Sequence, residues 1–196
     1  MRVIAGEFRR RVIRTVPGLE TRPTPDRLRE TLFNILAPQI SGSVFLDAYA
    51  GSGAVGIEAL SRGARVAIFI ENSKDAIDVI EENLKTLGVA KSATILRGLV
   101  GKKLVPDIAD LIFLDPPYAL ENEYNQILTT LGERDRRAQL VMAQHSSRAA
   151  LNETYGLLAR SRKVRHGENS ITFYSPSKRG TGRELVPNAS KKIDCS

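Results

Sequence analysis

Asp115-Pro116-Pro117-Tyr118 ends the run Asp110-Leu111-Ile112-Phe113-Leu114. The apolar residues read as a buried strand, and the polar stop puts a carboxylate, two prolines and an aromatic at its carboxyl end. In an open α/β sheet that is the edge where ligands bind. Each proline fixes φ near about −65° and lacks an N–H donor, and each pushes the residue before it towards extended geometry. Such a turn presents acceptors: the Asp115 carboxylate and bare backbone carbonyls. These can hold an NH2 group by its two hydrogens, while Tyr118 stacks on the ring that carries the amine. The plainer alternative is a proline-rich turn with a capping aspartate.

A second group of residues has the spacing of a cofactor site. Ser43-Val44-Phe45-Leu46-Asp47 reads as a strand, and the turn Ala48-Tyr49-Ala50-Gly51-Ser52-Gly53 after it opens a helix. Gly51, Gly53 and Gly56 satisfy G-x-G-x-x-G, a pattern shared by several kinds of nucleotide binder. There is no G-K-[ST], which excludes a phosphate-binding P-loop. Asp47, four residues before the first glycine, would repel a pyrophosphate and suits a ligand with an amino group or a positive centre. The alternative is a carboxylate that merely caps the turn. Glu71 ends the next strand, 20 residues after Gly51, where an acid commonly accepts hydrogen bonds from ribose hydroxyls; the alternative is an ordinary strand-end charge.

The third group is cationic. Residues 1–30 contain eight arginines (Arg2, Arg9, Arg10, Arg11, Arg14, Arg22, Arg27, Arg29), no lysine and only four acids. Arginine's planar fork suits phosphate. With a net charge of +7 over the whole chain, this points to a polyanionic partner. Val3-Ile4-Ala5 and Val12-Ile13 flank Gly6 and the arginines as a short hairpin would. That hairpin is either an arm for nucleic-acid backbone or a solvated basic ribbon whose charge prevents strand pairing.

The elements that must position these groups follow from periodicity. Thr24 and Pro25 are fit to start a helix with Leu28, Leu32, Ile35 and Leu36 on one face, Phe33 beside it, and Arg27, Arg29 and Glu30 near its start. Strands are expected at 65–71, 93–96, 110–114 and 140–143, and helices after Ser73 as far as Gly88, near Glu123–Leu131 and over Ala149–Leu158. Lys163-Val164-Arg165 and Ser170–Tyr174 form a closing hairpin. This alternation predicts an α/β fold: a doubly wound, mostly parallel, seven-stranded sheet with its last strand antiparallel, preceded by the small N-terminal hairpin. The expected organisation is a basic hairpin arm over 1–20, the main domain over 21–175 and a disordered tail over 176–196. The lone Cys195 permits no intrachain disulfide, His145 and His166 lack metal-ligand spacing, and no apolar run is long enough for a membrane span. The start of the chain is charged too soon for a signal peptide. These features lead us to expect a cytoplasmic protein with no metal site.

Asp47 with Gly51 and Gly53, then Glu71, then Asp115-Pro116-Pro117-Tyr118 resembles the class I S-adenosylmethionine (SAM) dependent methyltransferases that act on exocyclic amines. Three further stretches sharpen the resemblance: Arg2-Val3-Ile4-Ala5-Gly6; Arg22-Pro23-Thr24 through Leu32-Phe33-Asn34; and Arg165-His166-Gly167 with Thr172-Phe173-Tyr174. Over residues 1–175 the chain is similar to the bacterial RsmD-type methyltransferases, which modify a guanine N2 in small-subunit ribosomal RNA. Gln144 stands where relatives often carry an acid. The resemblance implies catalysis by Asp115, Pro116, Pro117 and Tyr118. It implies SAM binding by Asp47, Tyr49, Gly51, Ser52, Gly53, Glu71, Asn72, Gly98, Leu99 and Thr24, and RNA contacts by Arg2, Arg9, Arg10, Arg11, Arg22 and Arg27. The partner would be ribosomal RNA or the small ribosomal subunit, met by a monomer. Three rivals share parts of this pattern: a DNA adenine or cytosine amino-methyltransferase, a dinucleotide-dependent oxidoreductase and a non-catalytic RNA-binding module.

Overall fold

The computed structural model describes residues 1–16, 26–104, 109–117, 121–133 and 140–177. Five apolar runs form adjacent parallel strands: β1 (Val44–Ala48), β2 (Val66–Glu71), β3 (Ala93–Arg97), β4 (Leu111–Leu114) and β5 (Leu140–Ser146). β1, β2, β4 and β5 are buried almost throughout, as strands covered on both faces must be. Helices α1 (Asp26–Ile40), α2 (Ala54–Ser61) and α3 (Lys74–Leu87) cover one face; α4 (Val100–Lys103) and α5 (Glu121–Gly132) cover the other. β6 (Thr154–Tyr155), β7 (Leu158–His166) and β8 (Asn169–Pro176) complete the sheet, whose order is β3-β2-β1-β4-β5-β8-β7-β6. β8 is antiparallel to both β5 and β7, so β7 runs in the same direction as β1–β5.

The expected fold class is present, with eight strands rather than seven. The extra strand, β6, lies in the stretch 149–158, where a helix was expected. Leu151, Tyr155 and Leu158 have helical spacing, and all three do reach the core. They reach it through a turn, because Gly156 sits at φ +58° and the backbone pairs outwards: Leu157 N–H donates to Gly132 O and Arg160 N–H to Glu153 O, each at 2.8 Å. Helix propensity has yielded to tertiary hydrogen bonding.

The other local signals hold. Ser73 Oγ caps α3 through Ala76 N–H at 3.4 Å, and Gly88 ends it at φ 76°. In α1 the buried residues are Leu28, Arg29, Leu32, Phe33, Leu36 and Ile40. Arg29, placed by its sequence with the polar residues near the helix start, is 1% exposed. Its Nη2 donates to Arg2 O at 2.7 Å and Asp26 Oδ1 at 3.0 Å, and its Nη1 lies 2.6 Å from Met1 Sδ. The guanidinium thereby clamps the N-terminus onto α1.

Residues 1–16 form the expected ribbon, with an antiparallel bridge between Arg2 and Val12 and Val3 N–H donating to Arg11 O at 3.0 Å. The ribbon is docked. Val3, Phe8 and Ile13 enter a core cluster with Ile57, Leu60, Phe69, Ile80 and Leu84. The carboxylate of Glu58, buried in α2, accepts Ile4 N–H at 2.8 Å, Ala5 N–H at 3.0 Å and Arg62 Nε at 2.7 Å. Asn83 on α3 accepts Arg14 N–H at 2.8 Å and donates to Arg14 O at 3.0 Å and Ser52 O at 3.1 Å. One amide thus joins the ribbon to the glycine turn. Among the described residues no helix is long and apolar enough to cross a membrane.

Candidate active site

The strand order reverses direction between β1 and β4, and in open α/β sheets the crevice above such a switch point binds ligands. Asp47 lies near the end of β1, and Asp115 directly follows the last residue of β4. The register Asp47↔Phe113, Ala48↔Leu114 puts both carboxylates at this crevice.

Asp47 is 2% exposed, and its Oδ2 accepts Gly56 N–H at 2.8 Å. It therefore does cap the turn. Burial pushes its carboxyl well above the usual carboxylate range, against the pull of the Gly56 N–H, and the nearby charges of Asp115 and Glu71 add to the rise. A carboxylate under that pressure favours a cationic neighbour. Gly51 and Gly53 take φ of 54° and 77°, the region open to glycine at little cost. Gly56 has a different role: a Cβ there would lie 2.3 Å from Phe69 Cε1, so its bareness lets α2 lie close on β2.

Tyr49 also has positive φ, at 66°. An aromatic residue held there is strained by roughly 1–3 kcal/mol, a condition that concentrates at ligand sites. Its hydroxyl donates to Glu123 Oε2 on α5. Burial, then the Glu123 carboxylate, raises the phenol's pKa.

Glu71 is set by its neighbours. Its Oε2 accepts Gly51 N–H, and its Oε1 accepts the N–H groups of Asn72 and Ser73, all at 2.8 Å. A carboxylate offers about four acceptor sites, so capacity remains for a hydroxyl. Gly98 N–H donates to Glu71 O at 2.9 Å, with Gly98 at φ 137°. Leu99 next to it is 53% exposed, one of two large apolar residues left bare among the described residues.

Asp115 meets a residue whose role was not legible in the sequence. Gln144 Nε2 donates to Asp115 Oδ2 at 3.0 Å, because the register Leu114↔Ala143 sets the next residue of each strand side by side. Gln144 is 7% exposed, and its Oε1 is buried without a hydrogen-bond partner among the described residues. Its backbone carbonyl accepts Tyr124 OH. His145 Nε2 lies 2.8 Å from Thr172 Oγ1. Pro116 is buried and Pro117 exposed. The Tyr118 of the tetrapeptide, Arg22 and Thr24 lie outside the described residues, as does the expected tail from 178 onward.

The crevice thus gathers Asp47, Tyr49, Gly51, Ser52, Gly53, Glu71, Asn72, Gly98, Leu99 and Asp115. It does not gather the ribbon's arginines. Arg9, Arg10 and Arg11 are exposed near the tip, where Glu7 N–H donates to Ser61 O at 2.8 Å and Arg11 Nη2 to Thr86 O at 3.3 Å. Ser61 and Thr86 lie at the carboxyl ends of α2 and α3, at the edge of the sheet opposite Asp115. Arg2 and Arg27 are exposed beside α1.

A family model described as "Conserved hypothetical protein 95" matches residues 1–175. The putative rRNA methyltransferase YlbH of Bacillus subtilis is 37% identical over 187 residues, covering 92% of this chain and 100% of that protein. Ribosomal RNA small subunit methyltransferase D of Haemophilus influenzae is 40% identical over 124 residues, covering 60% of this chain and 64% of that one. The structure of the putative methyltransferase yhhF from Escherichia coli superposes with a TM-score of 0.77 at 32% identity, covering 90% of this chain and 98% of that chain. The chain belongs to this family, that of the RsmD-type ribosomal RNA methyltransferases.

Proposed function

We propose that the protein transfers a methyl group from SAM to the exocyclic N2 of a guanine in small-subunit ribosomal RNA. The observation that carries the reading is the pair Asp47 and Asp115 at the ends of β1 and β4, beside the glycine turn. The residues fit the cofactor: Asp47 is under pressure from burial and from like charges, and a cation relieves that. Glu71 has acceptor capacity for ribose hydroxyls, Gly51 and Gly53 admit a close approach, and Leu99 offers an apolar surface to a purine. When bound, SAM supplies an electrophilic methyl group on a positively charged sulfur.

A guanine amine is a poor nucleophile, because its lone pair is delocalised into the ring. Asp115 and the Pro116 carbonyl accept its two N–H bonds and aim the lone pair, and the carboxylate stabilises the positive charge that develops on nitrogen. The nitrogen then gives up one proton to the carboxylate, directly or through water. Gln144 holds the carboxylate in place. Tyr118 stacks on the base once it is turned out of its stack, a step that costs roughly a few kcal/mol. The protein acts as a monomer on ribosomal RNA or the small subunit.

The test uses labelled SAM with ribosomal RNA and small subunits from cells lacking the endogenous activity, and duplex DNA in parallel. Label recovered as N2-methylguanosine from ribosomal RNA is the expected result. Asp115→Ala should reduce transfer by at least about a hundredfold with SAM binding retained. Label only in DNA overturns the substrate, and an active Asp115→Ala enzyme overturns the role of the carboxylate.

A further inference from the structure

A base held by Asp115 brings its own backbone to the carboxyl edge of the sheet. The ribbon tip with Arg9, Arg10 and Arg11 lies at the opposite edge, so those three arginines do not reach the phosphates next to the target base. We infer that the exposed outer part of β7, with the turn that follows β5, is a track for the RNA backbone that flanks the methylated base. This rests on the RNA substrate proposed above.

β7 runs in the same direction as β4 and β5, and its end is therefore at the Asp115 edge. The pairings Leu114↔Ala143, Ala143↔Thr172 and Thr172↔Lys163 make one row across the sheet. Lys163 is level with the last residue of β4, and Arg165 and His166 stand beyond it. The row crosses three strand spacings, about 14 Å, which matches roughly four stacked nucleotides at about 3.4 Å each. Arg162, Lys163, Arg165 and His166 are exposed, as is Arg148 in the turn after β5. That turn abuts the β7–β8 turn, since Ser147 N–H donates to Glu168 O at 2.7 Å.

Arg165 Nε donates to Gly167 O at 3.1 Å, which leaves the rest of its guanidinium facing outward. Among the described residues, the ion pairs engage Arg14, Arg29, Arg62, Arg97 and Arg160 and leave out Arg148, Arg162, Lys163 and Arg165. The strand is also open. β6 pairs only with Leu158 and Ala159, so from Arg162 onward no described strand covers its outer edge. Alternation along β7 puts Arg162 and His166 on the same face as Val164, which packs with the core under α1. Lys163 and Arg165 point to the other face. A backbone running along the edge meets cations on both sides. Charges on an open strand also discourage sheet-to-sheet association, and the experiment separates that role from this one.

The test compares the full-length protein with Arg162→Ala/Lys163→Ala/Arg165→Ala, and with Arg162→Lys/Arg165→Lys, which keeps the charge. Binding and methylation of a small-subunit ribosomal RNA transcript are measured across salt concentrations, with self-association followed by light scattering. For the alanine variant, RNA affinity should drop at least about tenfold, and the log–log salt slope should shrink by about two, since each phosphate contact on a single strand contributes about 0.7. SAM binding and kcat at saturating RNA should stay unchanged, and the lysine variant should keep the wild-type slope. An alanine variant with unchanged RNA affinity and slope overturns the inference, whether or not it self-associates. Wild-type protein that methylates no RNA at all would instead sink the reading of the function on which this rests.

Discussion

Asp115 accepts a hydrogen bond from an uncharged amide, that of Gln144. An ionised carboxylate only accepts, and strongly, whereas a protonated one turns one oxygen into a donor and accepts more weakly. Gln144 stabilises the ionised form without bringing a second titrating group. Gln144→Glu replaces the donor with a carboxylate at hydrogen-bond distance. Two such groups cannot both ionise freely, so one proton is retained to higher pH. The acid limb of kcat/KM for this variant should therefore move up by about one pH unit or more relative to wild type, measured on the same RNA; coincident limbs would mean that Gln144 does not control the charge of Asp115. The two aspartates and Glu71 were legible because each interrupts or ends an apolar run, a one-dimensional signal. The contact of Gln144 was not: β5 was expected to stop at Ala143, and only the parallel register Leu114↔Ala143 reveals which residue faces Asp115.

The ribbon shows the same limit for whole elements. Its pairing across Gly6 was readable from an apolar triplet and an apolar pair, but its docking was not, because Val3, Phe8 and Ile13 are spaced by the packing surface and follow no strand or helix period. Gly6 lies against the end of α2. It takes φ +83°, and a Cβ would lie 1.8 Å from Ser61 O. Gly42 has a similar φ, +74°, with nothing within 4 Å of its notional Cβ, so the pair separates strain from collision. Gly42→Ala should cost about 1 kcal/mol, the strain of a left-handed alanine. Gly6→Ala must also lift the ribbon from α2 and expose apolar residues, so a loss above about 3 kcal/mol is expected. For a chain of this size that is roughly 6–12 °C in Tm, against about 2–4 °C for Gly42→Ala. Thermal unfolding of both variants checks this, and equal losses would show that the ribbon contributes little to the fold. The helix expected over 149–158 failed for a related reason: its spacing marked the core residues correctly, but the backbone found partners in α5 and β7.

Over the molecule as a whole, the cofactor crevice is a source of instability built into the centre of the sheet. Asp47 is buried at the switch point with Asp115 and Glu71 within electrostatic reach, and these positions suit a cationic cofactor better than they suit the empty fold. The sign of the linkage follows from the direction of the shift. The folded state holds the Asp47 proton more tightly than the unfolded chain does, whose carboxyl titrates near about 4. Stability is therefore lost as pH rises from the unfolded value to the higher folded one, and stays lost at neutral pH. Asp47→Asn keeps an oxygen for Gly56 N–H and removes the charge. Without SAM, this variant should unfold at a higher temperature than wild type at pH 7, with the difference shrinking as pH falls towards about 4. With SAM, the order should narrow or reverse, because a ligand's stabilisation grows with the logarithm of its affinity, and the variant has lost the charge that attracts a cationic ligand. Thermal unfolding with and without SAM at both pH values gives the four numbers needed. An Asp47→Asn protein less stable than wild type at pH 7 without cofactor would mean that the Gly56 cap outweighs the buried charge. A Tm gain with SAM as large as that of wild type would mean that the cofactor's positive charge is met elsewhere in the crevice.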